Sequence, residues 1–248
     1  MSTLRDEAIV LRTYKSGEAD RVVVMWTKEH GKLKALARGV RKGTSKLGSG
    51  LEPLAHIDVL LADARGDFHI VRQVEHVELF SRLRLDLDRL TAGCALTEVV
   101  EAVPLDGVPD REIFIMLSRA LASLDNTNFH PYLVPAAFYL KLLVLDGSAP
   151  QLDECVTCGS SDGLSSFDAE IGGALCSDCH RGRLLSSDAL ALMRRLLGGD
   201  LAGVLSDDPP PGSYEVHELA IEALERHFGR RLKVARSARP PETSRDDR

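Results

Sequence analysis

Two Cys-x-x-Cys pairs, Cys155-Val156-Thr157-Cys158 and Cys176-Ser177-Asp178-Cys179, stand 17 residues apart. Each pair can present two thiolates from one tight turn, and two such turns complete a tetrahedron around a metal with metal–sulfur distances near ~2.3 Å. Residues 153–182 must then fold back on themselves so that the two turns meet. Gly159 follows the first pair, where a small residue lets backbone amides turn toward sulfur. Four thiolates leave no open coordination position, so the expected ion is one structural zinc per chain on Cys155, Cys158, Cys176 and Cys179. An emptied ancestral site, an iron–sulfur cluster and a redox dithiol are the alternatives. His180 could substitute as a ligand but reads as a surface residue, and Cys94, on an apolar stripe, reads as core.

The second constraint is charge. Between Lys28 and Lys46 there are seven Lys or Arg against one acid, Glu29. Residues 1–50 carry 11 Lys/Arg and 5 Asp/Glu, which leaves 20 against 32 for residues 51–248. Polyanion binding is thus expected in the N-terminal part, and protein partners in the acidic remainder. In the first half of the basic stretch, alternation puts Lys32, Lys34 and Arg38 on one strand face and Leu33, Ala35 and Ala37 on the other. Gly39 to Gly50 reads as an exposed, mobile basic loop holding Arg41, Lys42 and Lys46. The pattern suits a nucleic acid lying across a sheet. An edge strand guarded by lysines is the competing explanation.

Taken in order, residues 5–77 read as five strands with turns at Ser16–Asp20, Glu29–Gly31 and Arg65–Asp67. Their number and length fit a small barrel of the oligonucleotide-binding or SH3-like kind. From Phe80 the period becomes helical, with stripes through Phe80–Thr97 and Ile113–Leu124. A third helix runs from Pro131 to about Leu145, one capped by Ser187 ends at Gly198-Gly199, and one from Ser213 ends near Gly229. The expected architecture is α+β: a five-stranded oligonucleotide-binding barrel over 1–79, then a helical domain over 80–236 with the cysteine knuckle inserted at 153–182. A disordered tail is expected over 237–248. No apolar run approaches the ~20 residues of a membrane span, and no apolar signal-peptide segment follows Met1, so the expected compartment is the cytoplasm.

Catalytic motifs are missing. Lys42-Gly43-Thr44 inverts the phosphate-loop order. His76-Val77-Glu78 matches half of a nucleobase-deaminase signature, but Glu154 and Leu175, not prolines, precede the cysteine pairs. The expected protein is not an enzyme. The alternative is a zinc-ribbon regulator or nucleic-acid-processing enzyme whose cysteine module touches nucleic acid. Against it, residues 150–179 contain six acids and no Lys or Arg.

The ordered elements Gly17-Glu18-Ala19-Asp20-Arg21, His30-Gly31, Ala37-Arg38-Gly39-Val40-Arg41, Ser45-Lys46 and Leu51-Glu52-Pro53, followed by the four-cysteine knuckle, resemble the RecO family of bacterial recombination mediators over nearly the whole chain. The resemblance implies an oligonucleotide-binding barrel, binding to single- and double-stranded DNA, and annealing of complementary strands. It also implies displacement of single-strand-binding protein so that RecA can load, together with RecR, at the nucleoid. The DNA contacts expected here are Tyr14, Lys15, Arg21, Lys32, Lys34, Arg38, Arg41, Lys42 and Lys46. Aromatics are 5% of the chain; Trp26 and Phe68 sit in apolar strands and read as core, so Tyr14 is the stacking candidate. Contact should be mostly to phosphate and little dependent on sequence.

Overall fold

A computed structural model of the protein describes residues 2–41, 47, 49–63, 68–104, 106–126, 128, 130–206 and 209–238. It divides into two compact units between Asp125 and Asn126.

In the first unit β1 (Thr3–Ser16), β2 (Asp20–Thr27), β3 (Gly31–Ala37), β4 (His56–Asp63) and β5 (Phe68–Glu78) close a barrel in the order β1-β2-β3-β5-β4. All neighbours are antiparallel except β3 and β5, which pair in parallel over Lys34–Leu36 and Phe68–Ile70. That order and the single parallel seam define the oligonucleotide-binding barrel and exclude the SH3-like alternative. Small and β-branched residues, with Met25 and Leu61, fill the interior: Ala8, Val10, Val23, Ala35, Ala37, Ile57, Val59 and Val71. Around the basic loop, Val40 and Leu51 are buried in this cluster and Leu47 packs against it, so apolar side chains anchor the loop at the barrel end. Its residues 42–46 and 48 lie outside the described residues.

A bulge in β1 and the turn into β3 shape the outer face of the barrel. Between Val10 and Arg12 the β1–β2 register shifts, leaving Leu11 as an extra residue. A bulge reverses the parity of the side chains beyond it. Ala8 and Val10 therefore point into the barrel, while Arg12 and Tyr14 pair with outward-facing Val24 and Val22. At the turn into β3, Asp6 accepts hydrogen bonds from the Glu29 amide at 3.1 Å and from His30 Nδ1 at 2.6 Å, which fixes residues 28–30. Gly31 then sits at φ +68°, and a Cβ there would lie 2.0 Å from the Val108 carbonyl oxygen. Only glycine lets the two backbones approach so closely.

Helices α1 (Leu87–Ala102) and α2 (Arg111–Asp125) pack against part of the outer face of β1 and β2 and leave Arg12 and Tyr14 exposed. They bury Trp26 completely, and its indole Nε1 donates to the Asp110 carbonyl at 3.2 Å. α1 starts at an Asp86 cap whose carboxylate accepts the Arg89 amide. The helical stripe read from Phe80 begins later than its period suggests. Phe80 takes φ +44° and Leu83–Leu85 form a 3-10 turn, yet Phe80 and Leu83 are still buried. Cys94 is half-buried, and desolvation raises its thiol pKa.

The second unit is built around α3 (Leu133–Leu145), whose sides are nearly all apolar and buried, as a helix surrounded by neighbours must be. The cysteine region contributes three short strands, β6 (Leu164–Asp168), β7 (Gly173–Cys176) and β8 (Arg183–Leu184), in the order β7-β6-β8. Then come α4 (Ser187–Leu197), α5 (Leu201–Ser206) and α6 (Ser213–Phe228), with α4, α5 and α6 packed on α3. The α4 cap is Ser186, one residue before the serine expected, and its hydroxyl accepts the Ala189 amide at 3.1 Å. Gly229 ends α6 at φ +63°, as its position predicts. Ala235–Ser237 form a 3-10 turn where the tail was expected to begin; residues 239–248 lie outside the described residues.

Candidate metal centre and nucleic-acid interface

The two cysteine pairs meet. Their four Sγ atoms all lie within 4.8 Å of one another, and Cys158 and Cys176 are 3.7 Å apart. A tetrahedron with metal–sulfur bonds of ~2.3 Å has sulfur–sulfur edges of roughly 3.8 Å, so this edge already has the required length. The first turn closes through Gly159, at φ +76°, whose amide donates to the Cys155 carbonyl at 2.8 Å. The second turn follows β7, whose hydrogen bonds to β6 carry Cys176 to its place. Cys155, Leu175 and Cys176 form a small core with Val156 and Leu164 behind the sulfurs.

The donor chemistry fits a cation. Hydrogen bonds from the backbone of Cys176 first, opposed by desolvation, then of Cys158 and Thr157, bring the Cys155 thiol down to about 6. The hydrogen bond with Cys158 is the main cause that pushes Cys179 up to about 12. The same cluster that favours the Cys155 thiolate pushes Cys158 and Cys179 upward, and a positive ion at its centre would offset that repulsion among thiolates. The four cysteines can therefore bind a metal ion. His180 is exposed and outside the cluster, and His76 is exposed on β5.

On the barrel, the strand register aligns outward side chains in two rows. Arg12, Val24, Lys34 and Phe68 form the first, and Tyr14, Val22, Leu36 and Ile70 the second. Tyr14 is 41% exposed, with the Arg12 guanidinium 5.9 Å from its ring centroid. Phe68 is 39% exposed, which corrects its reading as core. It opens β5 at the barrel end, and its outward parity matches that of Lys34. Arg12 and Phe68 are the two members of this face that sequence reasoning missed. Alternation cannot reveal Arg12, because the bulge reverses parity just before it.

The other basic residues differ in how free they are. Lys15 and Arg38 are exposed, with no carboxylate partner among the described residues. Arg41 is exposed and donates to the Gly17 and Glu18 carbonyls at 3.3 and 2.7 Å. Arg21 pairs with Glu52 at 2.6 Å, and Arg12 with Glu101 at 3.5 Å. The Lys32 side chain is 9% exposed, and its ammonium donates to the Glu101 and Val103 carbonyls and pairs with Asp106 at 2.8 Å. Lys34 pairs with the other Asp106 oxygen at 3.2 Å. Lys42 and Lys46 lie outside the described residues.

A closed oligonucleotide-binding barrel with basic side chains on its outer face, followed by a helical region with a four-cysteine cluster that can bind a metal ion, defines a class of two-part protein. Two family models match in register with this plan: Recombination protein O N terminal over residues 1–80 and Recombination protein O C terminal over residues 84–236. The chain belongs to the RecO family. A DNA repair protein RecO from Nocardioides is 38% identical over 92% of this chain and 96% of its own. Those of Thermobifida fusca and Streptomyces griseus are 40% and 36% identical over 81% and 82% of this chain, and 84% and 85% of their own. The models' boundary near residue 80 coincides with the change from strand to helix, whereas compactness leaves α1 and α2 with the barrel. No helix among the described residues is long and apolar enough to cross a membrane.

Proposed function

We propose that the protein is a non-enzymatic DNA-binding mediator of recombination in DNA repair, acting in the cytoplasm at the nucleoid. It binds single- and double-stranded DNA, anneals complementary strands and, with RecR, helps load RecA onto strands covered by single-strand-binding protein. The outer barrel face carries this reading: exposed Arg12 and Arg38 and part-exposed Lys34 lie beside exposed Tyr14 and Phe68 on a fold suited to a strand crossing a sheet. Exposed Lys15 and Arg41 add positive charge in the same unit, and Lys42 and Lys46, which lie outside the described residues, are proposed as further phosphate contacts. Lys32 and Arg21, tied to partners in their own unit, serve as supports. Annealing asks only that phosphate charge be neutralised while bases stay free, so no activated nucleophile is needed.

The ion in the cysteine cluster is proposed to be zinc, one per chain, in a structural role. The acidic helical portion, residues 80–235, cannot hold DNA by charge alone, so it is the proposed docking surface for RecR and single-strand-binding protein. The test is annealing of two complementary labelled oligonucleotides by the pure protein. Annealing should proceed without nucleotide, and truncated proteins should capture RecR only when the helical part is present. Nucleotide hydrolysis or deamination abolished by a point mutation would overturn the non-enzymatic reading.

A further inference from the structure

The carboxylate of Asp106 lies on the barrel face between Lys32 and Lys34. After α1 the chain runs beside the first half of β3, the part that β5 does not pair. Lys32 and Asp106 form a parallel bridge there, and the Gly107 amide donates to the Lys32 carbonyl at 3.1 Å. The side chain of Asp106 then reaches both lysines of β3, Oδ1 to Lys32 at 2.8 Å and Oδ2 to Lys34 at 3.2 Å. Two ammonium groups that share one carboxylate are cationic donors that could equally pair with the oxygens of a phosphate. Resting on the DNA-binding reading above, we propose that Asp106 is a built-in phosphate mimic that competes with DNA for Lys34 and sets the affinity of this face.

The two lysines respond differently to displacement. Lys32 is nearly buried and keeps two backbone carbonyls as partners without Asp106, so it stays. Lys34 is 41% exposed, has Asp106 as its carboxylate partner, and is free to turn to another anion. The Lys32 hydrogen bond, against the opposing effect of burial, and then the Lys34 bond keep the Asp106 carboxyl below the usual carboxylate range. Protonation near neutral pH therefore does not release Lys34; a competing polyanion must. Asp106 is itself 59% exposed, and exposed pairs are weak, so a strand bringing several phosphates at once can displace it. The backbone run is held by the Gly107 amide and the close Gly31–Val108 approach, not by the carboxylate. Neutralising Asp106 should therefore free Lys34 without releasing the segment.

The test uses the full chain, a fluorescein-labelled oligothymidine of about 30 nucleotides, and anisotropy between about 50 and about 200 mM salt. Asp106→Asn should bind about 3–10-fold tighter than wild type at the low-salt end, with an unchanged melting temperature. The gain should vanish in Lys34→Ala/Asp106→Asn, because it works through Lys34. Asp106→Ser provides the same readout should the asparagine variant fold poorly. Wild type that binds while neither variant binds more tightly overturns the competition and leaves the DNA reading standing. A gain that persists without Lys34 also overturns it, since that is net charge alone. No binding by any of these proteins removes the DNA reading and this proposal together.

Discussion

Protein carrying Cys155→Ser and Cys158→Ser should contain no stoichiometric zinc and should lose the cooperative fold of its second unit. The small core behind the sulfurs is only Cys155, Leu175 and Cys176 with Val156 and Leu164, too little to order this segment by burial alone. Without the ion, the knuckle's turns are held by short strands and a few backbone hydrogen bonds. A structural zinc supplies folding free energy outright, so the loss should be several kcal/mol, enough to unfold a marginal domain. The barrel's core cluster is formed by residues between Ala8 and Val71, so DNA binding by residues 1–125 should survive. Elemental analysis with a thermal melt reads both effects. Stoichiometric zinc retained in the double variant would remove these cysteines as its ligands.

Trp26→Ala should cost about 3–5 kcal/mol, the range for deleting a large buried aromatic. The indole is fully buried between the outer barrel face and the covering helices, and its Nε1 satisfies the Asp110 carbonyl just before α2. The substitution leaves a cavity and an unpaired carbonyl at the place where α2 joins the barrel. A fall in melting temperature of about 10 °C or more is expected in the first unit's transition. Trp26→Phe should keep most of the packing, lose the hydrogen bond, and leave DNA affinity unchanged. A stacking role predicts the reverse, with affinity lost and stability kept.

Local rules made much of this legible in the sequence. Alternation placed the β3 lysines opposite Leu33, Ala35 and Ala37, and the turns expected at Ser16–Asp20 and Glu29–Gly31 separate β1, β2 and β3, while the turn expected at Arg65–Asp67 lies outside the described residues. The two Cys-x-x-Cys pairs indicated a cluster before any coordinates. What stayed hidden depends on distant contacts. No pattern in residues 28–46 could show that a residue 72 positions beyond Lys34 places its carboxylate on Lys32 and Lys34. The bulge at Leu11 reverses parity without any glycine or proline to announce it, which concealed Arg12. Phe68 read as core because an apolar run was assumed to face inward, yet at the barrel end it faces outward. Strands β6–β8 have two to five residues each, too short to show a period in the sequence.

The central claim, that the basic barrel face binds nucleic acid through its phosphates, meets its most direct test in the salt dependence of binding. Wild type and the variant with Arg41, Lys42 and Lys46 changed to Ala are compared on two oligonucleotides of unrelated sequence. Each lost phosphate contact flattens the plot of log K against log salt by ~0.7 on single strands. The variant should therefore be flatter by about two units, equally on both sequences, with its fold and zinc content intact. Identical slopes and affinities for the two proteins, with the variant more prone to aggregate, would mean that the basic residues only guard an edge.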